Sequence, residues 1–315
     1  MFALRGVAVS LSVFAIVYCM LSLAVCLCWT RLQDRFRRQP VQRIAHLLFS
    51  LRIFPLVTAA LITAVFTIPS FLMLEPRAID EPVGGVPLTL GLFGLAIGVF
   101  GAANGFLAIR TASRTVSAWT REAQSAPSTA PIPVLRIPWP VPPMSAVGIV
   151  RPRILLSSAA ESMLAAEELQ TALNHEIAHV RSHDNLKKLL LRFVSFPGMS
   201  GLEMAWLEAI ELAADDAAVS SPAEALDLAA TLIKLSRLGP VEAPVDLSAA
   251  LVHSPASIMN TRVERLIAWS QRRHPSHGLA LWYGMLSIGT AVGIAAVTYS
   301  QLLVRMHEAT EWLVR

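Results

Sequence analysis

The chain has 315 residues and a formal net charge of +4, and 54% of its residues are hydrophobic whereas only 15% are charged. An ordinary soluble domain carries about 25% charged residues, so this composition excludes a simple soluble enzyme. It also excludes a disordered chain, because this much apolar surface must be buried in protein or lipid. The only three cysteines, Cys19, Cys26 and Cys28, share one apolar run and can form neither a disulfide framework nor a cysteine metal site.

Four apolar stretches each exceed the roughly 20 residues that a helix needs to cross the hydrocarbon core of a membrane. They lie between Arg5 and Arg31, between Arg52 and Glu75, from Val83 to Ile109 and from Gly278 to Val304. We therefore predict four transmembrane helices. A cleaved signal peptide is the alternative for the first stretch. It is disfavoured because the stretch is long and no small-residue cleavage site follows it.

The third stretch carries glycines at helical spacing, at positions 91, 94, 98, 101 and 105. Small residues in this pattern allow two helix backbones to approach closely within a membrane. The pattern predicts that the third helix packs tightly against a neighbouring helix.

Basic residues flank the apolar stretches asymmetrically. Residues 31–52 contain six arginines and one acidic residue, whereas residues 75–87 contain one arginine and three acidic residues. Further arginines follow the third stretch and precede the fourth. By the positive-inside rule, we predict a bacterial inner-membrane protein whose N-terminus is outside and whose residues 30–52 and 110–277 are cytoplasmic. Because the arginines follow this rule, we predict no direct binding of nucleic acid.

The predicted organisation is that of a mainly α-helical polytopic membrane protein with an α+β domain inserted between its last two spans. Three spans and the basic loop 30–52 occupy residues 1–110, the cytoplasmic domain occupies 111–277, the fourth span 278–304 and a short external tail 305–315. Residues 127–143 contain seven prolines and predict a stiff extended connector, with a processing site or a lid as the alternative.

Within the cytoplasmic domain, the sequence VGIVRPRILLS predicts two short strands around Arg151 and Pro152. The pattern that follows is helical, over residues 159–182, 184–196, 202–220, 222–238 and 259–270. Ser221 followed by Pro222 is a typical helix start.

The motif His175-Glu176-Ile177-Ala178-His179 carries the strongest chemical signal. Residues four apart lie on one face of a helix, so two histidines at this spacing can reach one metal ion. Glu176 lies beside them, where it can take a proton from a water molecule.

A catalytic zinc ion takes three protein ligands. His183 is excluded as the third because His175 and His183 are separated by about 12 Å along a helix axis. Glu211 and Asp215 share a face of a second helix, and Glu211 is the predicted third ligand with Asp215 behind a histidine ligand. Glu208, one turn earlier, is the alternative ligand. Asp184 and Asn185 either cap the next helix or support the site.

The chain resembles the BlaR/MecR-type membrane metallopeptidases, which are gluzincins related to β-lactam-sensing receptors. The matching segments are GIVRPRILLS, HEIAHVRSHDN, ELAADDAAV and TRVERLIAW, with three spans before them and one after. The resemblance implies a zincin-like fold with one zinc ion held by His175, His179 and Glu211. It also implies that Glu176 is the general base and that Asp215 supports a ligand. The receptors' external penicillin-binding sensor domain has no counterpart here, so we expect no direct β-lactam sensing.

The expected function is hydrolysis of peptide bonds on the cytoplasmic side, in regulated signalling. The expected partners are the lipid bilayer and a protein substrate, either the protein itself or a winged-helix transcriptional repressor. The alternatives are a general membrane quality-control protease of the same chemistry and a non-catalytic signalling scaffold.

Two further expectations concern how the substrate is held. The strand around Arg153–Leu156 is a candidate edge along which a substrate could add as a further strand. His253 and Arg262 lie in the right region to stabilise an oxyanion, but a structural role is favoured for both.

Overall fold

The computed structural model describes residues 2–36, 40–76, 83–126, 130–138, 143–194, 196–238, 249–250, 256–269 and 299–311. The helices in these ranges are α1 (Phe2–Phe36), α2 (Val41–Ile62), α3 (Ile68–Leu74), α4 (Gly85–Trp119), α5 (Ser158–Met163), α6 (Ala166–Arg181), α7 (Asp184–Phe193), α8 (Ser200–Ala218), α9 (Pro222–Ser236), α10 (Ala256–Ile267) and α11 (299–311). The strands are β1 (Gln124–Ser125), β2 (Val134–Ile137), β3 (Met144–Val147), β4 (Arg153–Ser157) and β5 (Ala249–Ala250).

The chain divides into two compact units. The first unit comprises Met1–Arg31, Leu51–Gly101 and His274–Arg315, and the second comprises Leu32–Ser50 and Ala102–Arg273. The first unit contains most of the apolar helical residues that the sequence predicts as the first three spans. The second contains the sheet and the helices of the inserted domain.

Three helical segments are long and apolar enough to cross a membrane: Phe2–Arg31, Val41–Leu74 and Gly85–Trp119. They coincide with the first three predicted spans. Many of their large apolar side chains are exposed, such as Leu92, Phe100 and Met73, which suits contact with lipid. Most of the predicted fourth span, 278–304, lies outside the described residues. The segment predicted as an external tail is helical as far as residue 311.

A break in the second span is compensated by a side chain from α11. Pro69 has no backbone N–H, so the carbonyl of Val65 has no α-helical partner four residues later. Residues Thr63–Thr67 form a π-helical turn between α2 and α3, and the hydroxyl of Tyr299 donates a hydrogen bond to the Val65 carbonyl at 2.9 Å. An unpaired carbonyl would be costly in a membrane, and this contact removes that cost.

The glycines of α4 allow close packing against α1. A β-carbon at Gly91 would lie 2.9 Å from the Ala8 carbonyl oxygen, and one at Gly94 would lie 2.4 Å from the Leu11 carbonyl oxygen. Ser12 of α1 lies 2.8 Å from the Pro87 carbonyl oxygen of α4. These contacts confirm the predicted close approach at Gly91 and Gly94, whereas Gly98 has no neighbouring atom within 4 Å.

The second unit is built on a mixed sheet with the strand order β1-β2-β4-β3-β5. β2 and β4 pair in parallel, and the other neighbouring strands pair antiparallel. The principal apolar core of this unit includes side chains from the sheet, α6 and α9, among them Ile154, Ala172 and Leu228. Burial of these surfaces fixes α6, the helix of the histidine motif, to the sheet.

The structure corrects three expectations for this unit. β4 lies between β2 and β3, so the prediction that residues 153–156 form a free edge is wrong. The proline-rich segment is more than a connector, because Val134–Ile137 is strand β2. The helix predicted over 159–182 is two helices, because Leu164 is extended and Glu168 accepts a hydrogen bond from the Ala165 N–H, which starts a new helix.

The contact between α1 and α4 yields a direct test. Gly94→Ala places a methyl group against the Leu11 carbonyl, and we expect it to destabilise the protein by about 1–3 kcal/mol. Gly98→Ala, one turn further along the same helix, is the matched control and should change stability by less than about 0.5 kcal/mol. Thermal unfolding of the detergent-purified variants measures both. Equal losses at the two positions would contradict the packing.

Candidate metal centre

Helix α6 brings three functional side chains together in the interior of the second unit. His175 and Glu176 are fully buried and His179 is 2% exposed. His175 and His179 are one turn apart, and their Nε2 atoms lie 3.1 Å from each other. The two imidazoles therefore converge on one point, as the spacing of the motif predicts.

Helix α8 supplies a carboxylate to the same point. The oxygens of Glu211 lie 3.7 Å from Nε2 of His175 and 3.6 Å from Nε2 of His179. His175, His179 and Glu211 thus form a group whose ligand atoms lie within 4.8 Å of one another. Glu208 and His183 are not members of this group. His183 instead forms the turn between α6 and α7, with a left-handed backbone at φ +56°.

Each histidine is oriented by a buried carboxylate at its other ring nitrogen. Asp215 lies 3.0 Å from Nδ1 of His175, and Asp184 lies 2.7 Å from Nδ1 of His179. Such contacts fix the ring and its tautomer and leave Nε2 for a metal ion. The sequence leaves two roles open for Asp184, and this contact favours the one in which Asp184 supports the site. Asn185 donates hydrogen bonds to the carbonyls of Ala146 and Gly148 and so ties α7 to β3.

Glu176 is held by the sheet. Its Oε2 atom accepts a hydrogen bond from the backbone N–H of Ala146 on β3 at 2.6 Å. Its Oε1 atom is buried and has no hydrogen-bond partner among the described residues. A buried carboxylate oxygen without a partner is costly unless a ligand or a water completes it, which is typical of a catalytic position.

Arg262 of α10 lies behind the carboxylates and is fully buried. Its Nε and Nη2 atoms donate hydrogen bonds to Asp215 at 2.8 and 2.7 Å, and its Nη1 atom lies 3.0 Å from Glu211. The guanidinium therefore positions the two carboxylates, which favours the structural role over oxyanion stabilisation. His253, the other oxyanion candidate, lies outside the described residues. Sequence reasoning missed this bridge, although the arginine stands in the TRVERLIAW segment.

The surrounding charges set the pKa values of these groups. Burial alone would lower the pKa of His175, but the adjacent carboxylates of Asp215 and Glu211 raise that pKa to about 9. Burial alone would raise the pKa of Glu211, but His179 and Arg262 lower it to about 2. Glu211 is therefore a carboxylate at neutral pH. Burial raises the pKa of Glu176 above its usual range, although the two histidines oppose that shift.

The arrangement fits a zinc-like divalent ion. Tetrahedral zinc with bonds of about 2.0–2.1 Å holds its ligand atoms roughly 3.4 Å apart. Here the two Nε2 atoms are 3.1 Å apart, Oε2 of Glu211 is 3.7 Å from that of His175, and Oε1 of Glu211 is 3.6 Å from that of His179. Metal binding requires neutral imidazoles, and in that state the carboxylates of Glu211 and Asp215 share the positive charge of Arg262. A divalent cation would balance the negative charge that then remains.

A buried His-His-Glu group beside a further glutamate, in a chain with three apolar helices of membrane-spanning length, is typical of a membrane metallopeptidase. Residues 88–266, more than half of the chain, match the family described as BlaR1 peptidase M56. The chain belongs to this metallopeptidase family and is an integral membrane protein. The resemblance to the BlaR/MecR-type peptidases is thereby confirmed. No curated protein matches the chain.

The bridge made by Arg262 can be tested by its removal. Arg262→Met leaves Glu211 and Asp215 buried without their cation, and we expect a loss of about 3–5 kcal/mol in the metal-free protein. Arg265→Met is the matched control on the same helix, because Arg265 pairs with the more exposed Asp216 and should contribute at most about 1 kcal/mol. Thermal unfolding with a chelator present compares them. Similar melting temperatures for the two variants would refute the bridging role.

Proposed function

We propose that the protein is a zinc-dependent endopeptidase that hydrolyses peptide bonds. The observation that supports this proposal most directly is the convergence of His175, His179 and Glu211 beside the buried Glu176. The first three would hold one zinc ion, and Glu176 would act as the general base. Asp215 and Asp184 would hold the histidine rings, and Arg262 would hold Glu211 and Asp215.

The chemistry follows from the positions of these side chains. A bound zinc ion would polarise the scissile carbonyl and make an attacking water more acidic. Glu176 would take the proton of the attacking water at its unpartnered Oε1 atom and return it to the leaving amine. The Ala146 N–H keeps the Glu176 carboxylate in one orientation through Oε2. The raised pKa of Glu176 suits a group that must both accept and donate a proton.

A cavity beside the site is a candidate seat for a substrate side chain. It has a volume of about 180 Å³ and is lined by Gly148, Pro152, His179, His183 and Asn185, among others. The cavity lies between the turn that joins β3 to β4 and the start of α7. Since β4 is internal to the sheet, a substrate would be held at this turn rather than along residues 153–156.

We further propose a role in regulated signalling, in which the peptidase cleaves a transcriptional repressor, such as a winged-helix protein, or itself. Its support is the membership of the BlaR1 peptidase family. A general quality-control protease of the same chemistry is the alternative. Proteome comparison of a deletion strain with its parent separates the two. Stabilisation of one regulator favours signalling, whereas accumulation of many misfolded membrane proteins favours quality control.

The peptidase site can be tested with detergent-purified variants. Glu176→Gln should keep the zinc content of wild type and lose cleavage of casein by about 10²-fold or more, since a general base contributes about 10²–10⁴-fold. Glu211→Gln should lose about one zinc ion per chain as well as activity. Zinc is measured by elemental analysis and cleavage by gel.

Glu208→Gln is the matched control for that experiment. Glu208 lies on the same helix, one turn before Glu211, and was the alternative ligand, but it is outside the converging group. We expect Glu208→Gln to retain zinc and activity. Zinc loss in Glu208→Gln, or full zinc retention in Glu211→Gln, would overturn the assigned ligand set.

The proposed orientation places the peptidase unit in the cytoplasm, and its support is the distribution of arginines around the spans. Alkaline phosphatase, which is active only outside the inner membrane, should be active when fused after residue 80 and inactive when fused after residue 126. Fusions to a fluorescent protein that matures only inside should give the reverse pattern. The opposite result for both reporters would invert the orientation and leave the proposed chemistry unaffected.

A further inference from the structure

A second group of metal-ligating side chains lies in the first unit, at the end of the helical bundle where α1 begins and α3 ends. Glu75 follows the last residue of α3, and His307 and Glu311 lie one turn apart on α11. One ligand atom from each of these three residues lies within 4.8 Å of the other two. This group shares no residue with the candidate centre on α6 and α8.

The position of α11 does not depend on this group. The Tyr299 hydroxyl bonds to the Val65 carbonyl at 2.9 Å, and its ring packs against Phe66 with centroids 5.7 Å apart. From Tyr299 to His307 a helix advances by about 12 Å, and from Val65 to Glu75 by about 15 Å. α11 therefore runs alongside α3 in the same direction, and the Tyr299 contact independently brings His307 to the level of Glu75.

The distances within the group leave the histidine incompletely paired. Nδ1 of His307 lies 3.9 Å from Oε2 of Glu75, which is too long for a hydrogen bond, and this buried nitrogen has no hydrogen-bond partner in the described part of the chain. Nε2 lies 3.5 Å from Oε1 of Glu311. The other oxygen of Glu75 is 2.9 Å from Nη1 of Arg5, so Oε2 is the oxygen that faces the ring.

The group lies in a confined place. The imidazole of His307 is approached by the carboxylates of Glu75 and Glu311, and Arg5 contacts Glu75 from the other side. The side chains of Glu75 and His307 are only 9% and 17% exposed, whereas that of Glu311 is 45% exposed. A cation could therefore enter past Glu311 and be held by the two less exposed side chains.

We propose that Glu75, His307 and Glu311 bind a divalent transition-metal ion of the zinc class. One imidazole and two carboxylates are ligands that zinc accepts, whereas calcium and magnesium prefer oxygen alone. The ion would join α11 to the end of α3 and, through Arg5 and Glu75, to the start of α1. Under the proposed orientation this end of the bundle faces the outside, so the ion would come from outside the cell.

The test uses full-length, detergent-purified protein in which His175→Ala and His179→Ala remove the first centre. After dialysis against dilute zinc, this double variant should retain about one zinc ion per chain. Addition of His307→Ala should abolish that zinc, and addition of Glu311→Gln should weaken its affinity at least about tenfold. Excess calcium should not displace the zinc.

Glu308→Gln is the matched control, because Glu308 is on the same helix but pairs with the exposed Arg305 outside the group. It should leave zinc binding and the melting temperature unchanged. A double variant without zinc, or one whose zinc survives His307→Ala, would overturn the second site. If the first centre binds no zinc, wild type and the double variant would bind equal amounts of zinc, and His307→Ala would still lower that amount. Failure of the first centre is therefore distinguishable from failure of the second site.

Discussion

The buried ion network around Arg262 is the constraint on which the second unit depends. Its guanidinium contacts Asp215 and Glu211, and these contact the two histidines of α6. Three helices, α6, α8 and α10, must therefore meet for any one of these charges to be stabilised. Removing charges from water is costly, so the network is tolerable only when every partner is in place. The geometry that positions the ligands is consequently the same geometry that keeps the helices together.

The sheet completes this constraint from the opposite side of α6. The Ala146 N–H on β3 binds Glu176, and Asn185 binds the carbonyls of Ala146 and Gly148. The histidine helix is thus held by the carboxylates of α8 and by a backbone N–H of β3, and the following helix α7 is tied to the same strand. The proposed metal-assisted reaction would require such rigid support, because small displacements of the proposed base or ligands would reduce the rate.

The local parts of the site could be predicted from the sequence, and the long-range parts could not. His175 and His179 are four residues apart and so lie on the same face of a helix, and the same holds for Glu211 and Asp215. Strand order depends on pairings between distant segments, which a local sequence pattern does not predict. For this reason the sequence predicted neither the internal position of β4 nor the presence of Val134–Ile137 in the sheet. The bridge that Arg262 makes was not predicted either, since an arginine on an amphipathic helix is usually at the surface.

The apolar helices obey a different rule, because lipid offers no hydrogen bonds to backbone groups. Pro69 leaves the Val65 carbonyl without its α-helical partner, and a hydroxyl from a segment 234 residues later donates a hydrogen bond to it. This contact holds the start of α11 at the π-helical turn, and the same helix carries His307 to within 3.9 Å of Glu75. One helix therefore both supplies a partner to a backbone group of the apolar helices and contributes to the polar cluster at their end. The ligand atoms that converge in this cluster are those by which we propose that a cation is bound, and α11 would be held there by two contacts of different chemistry.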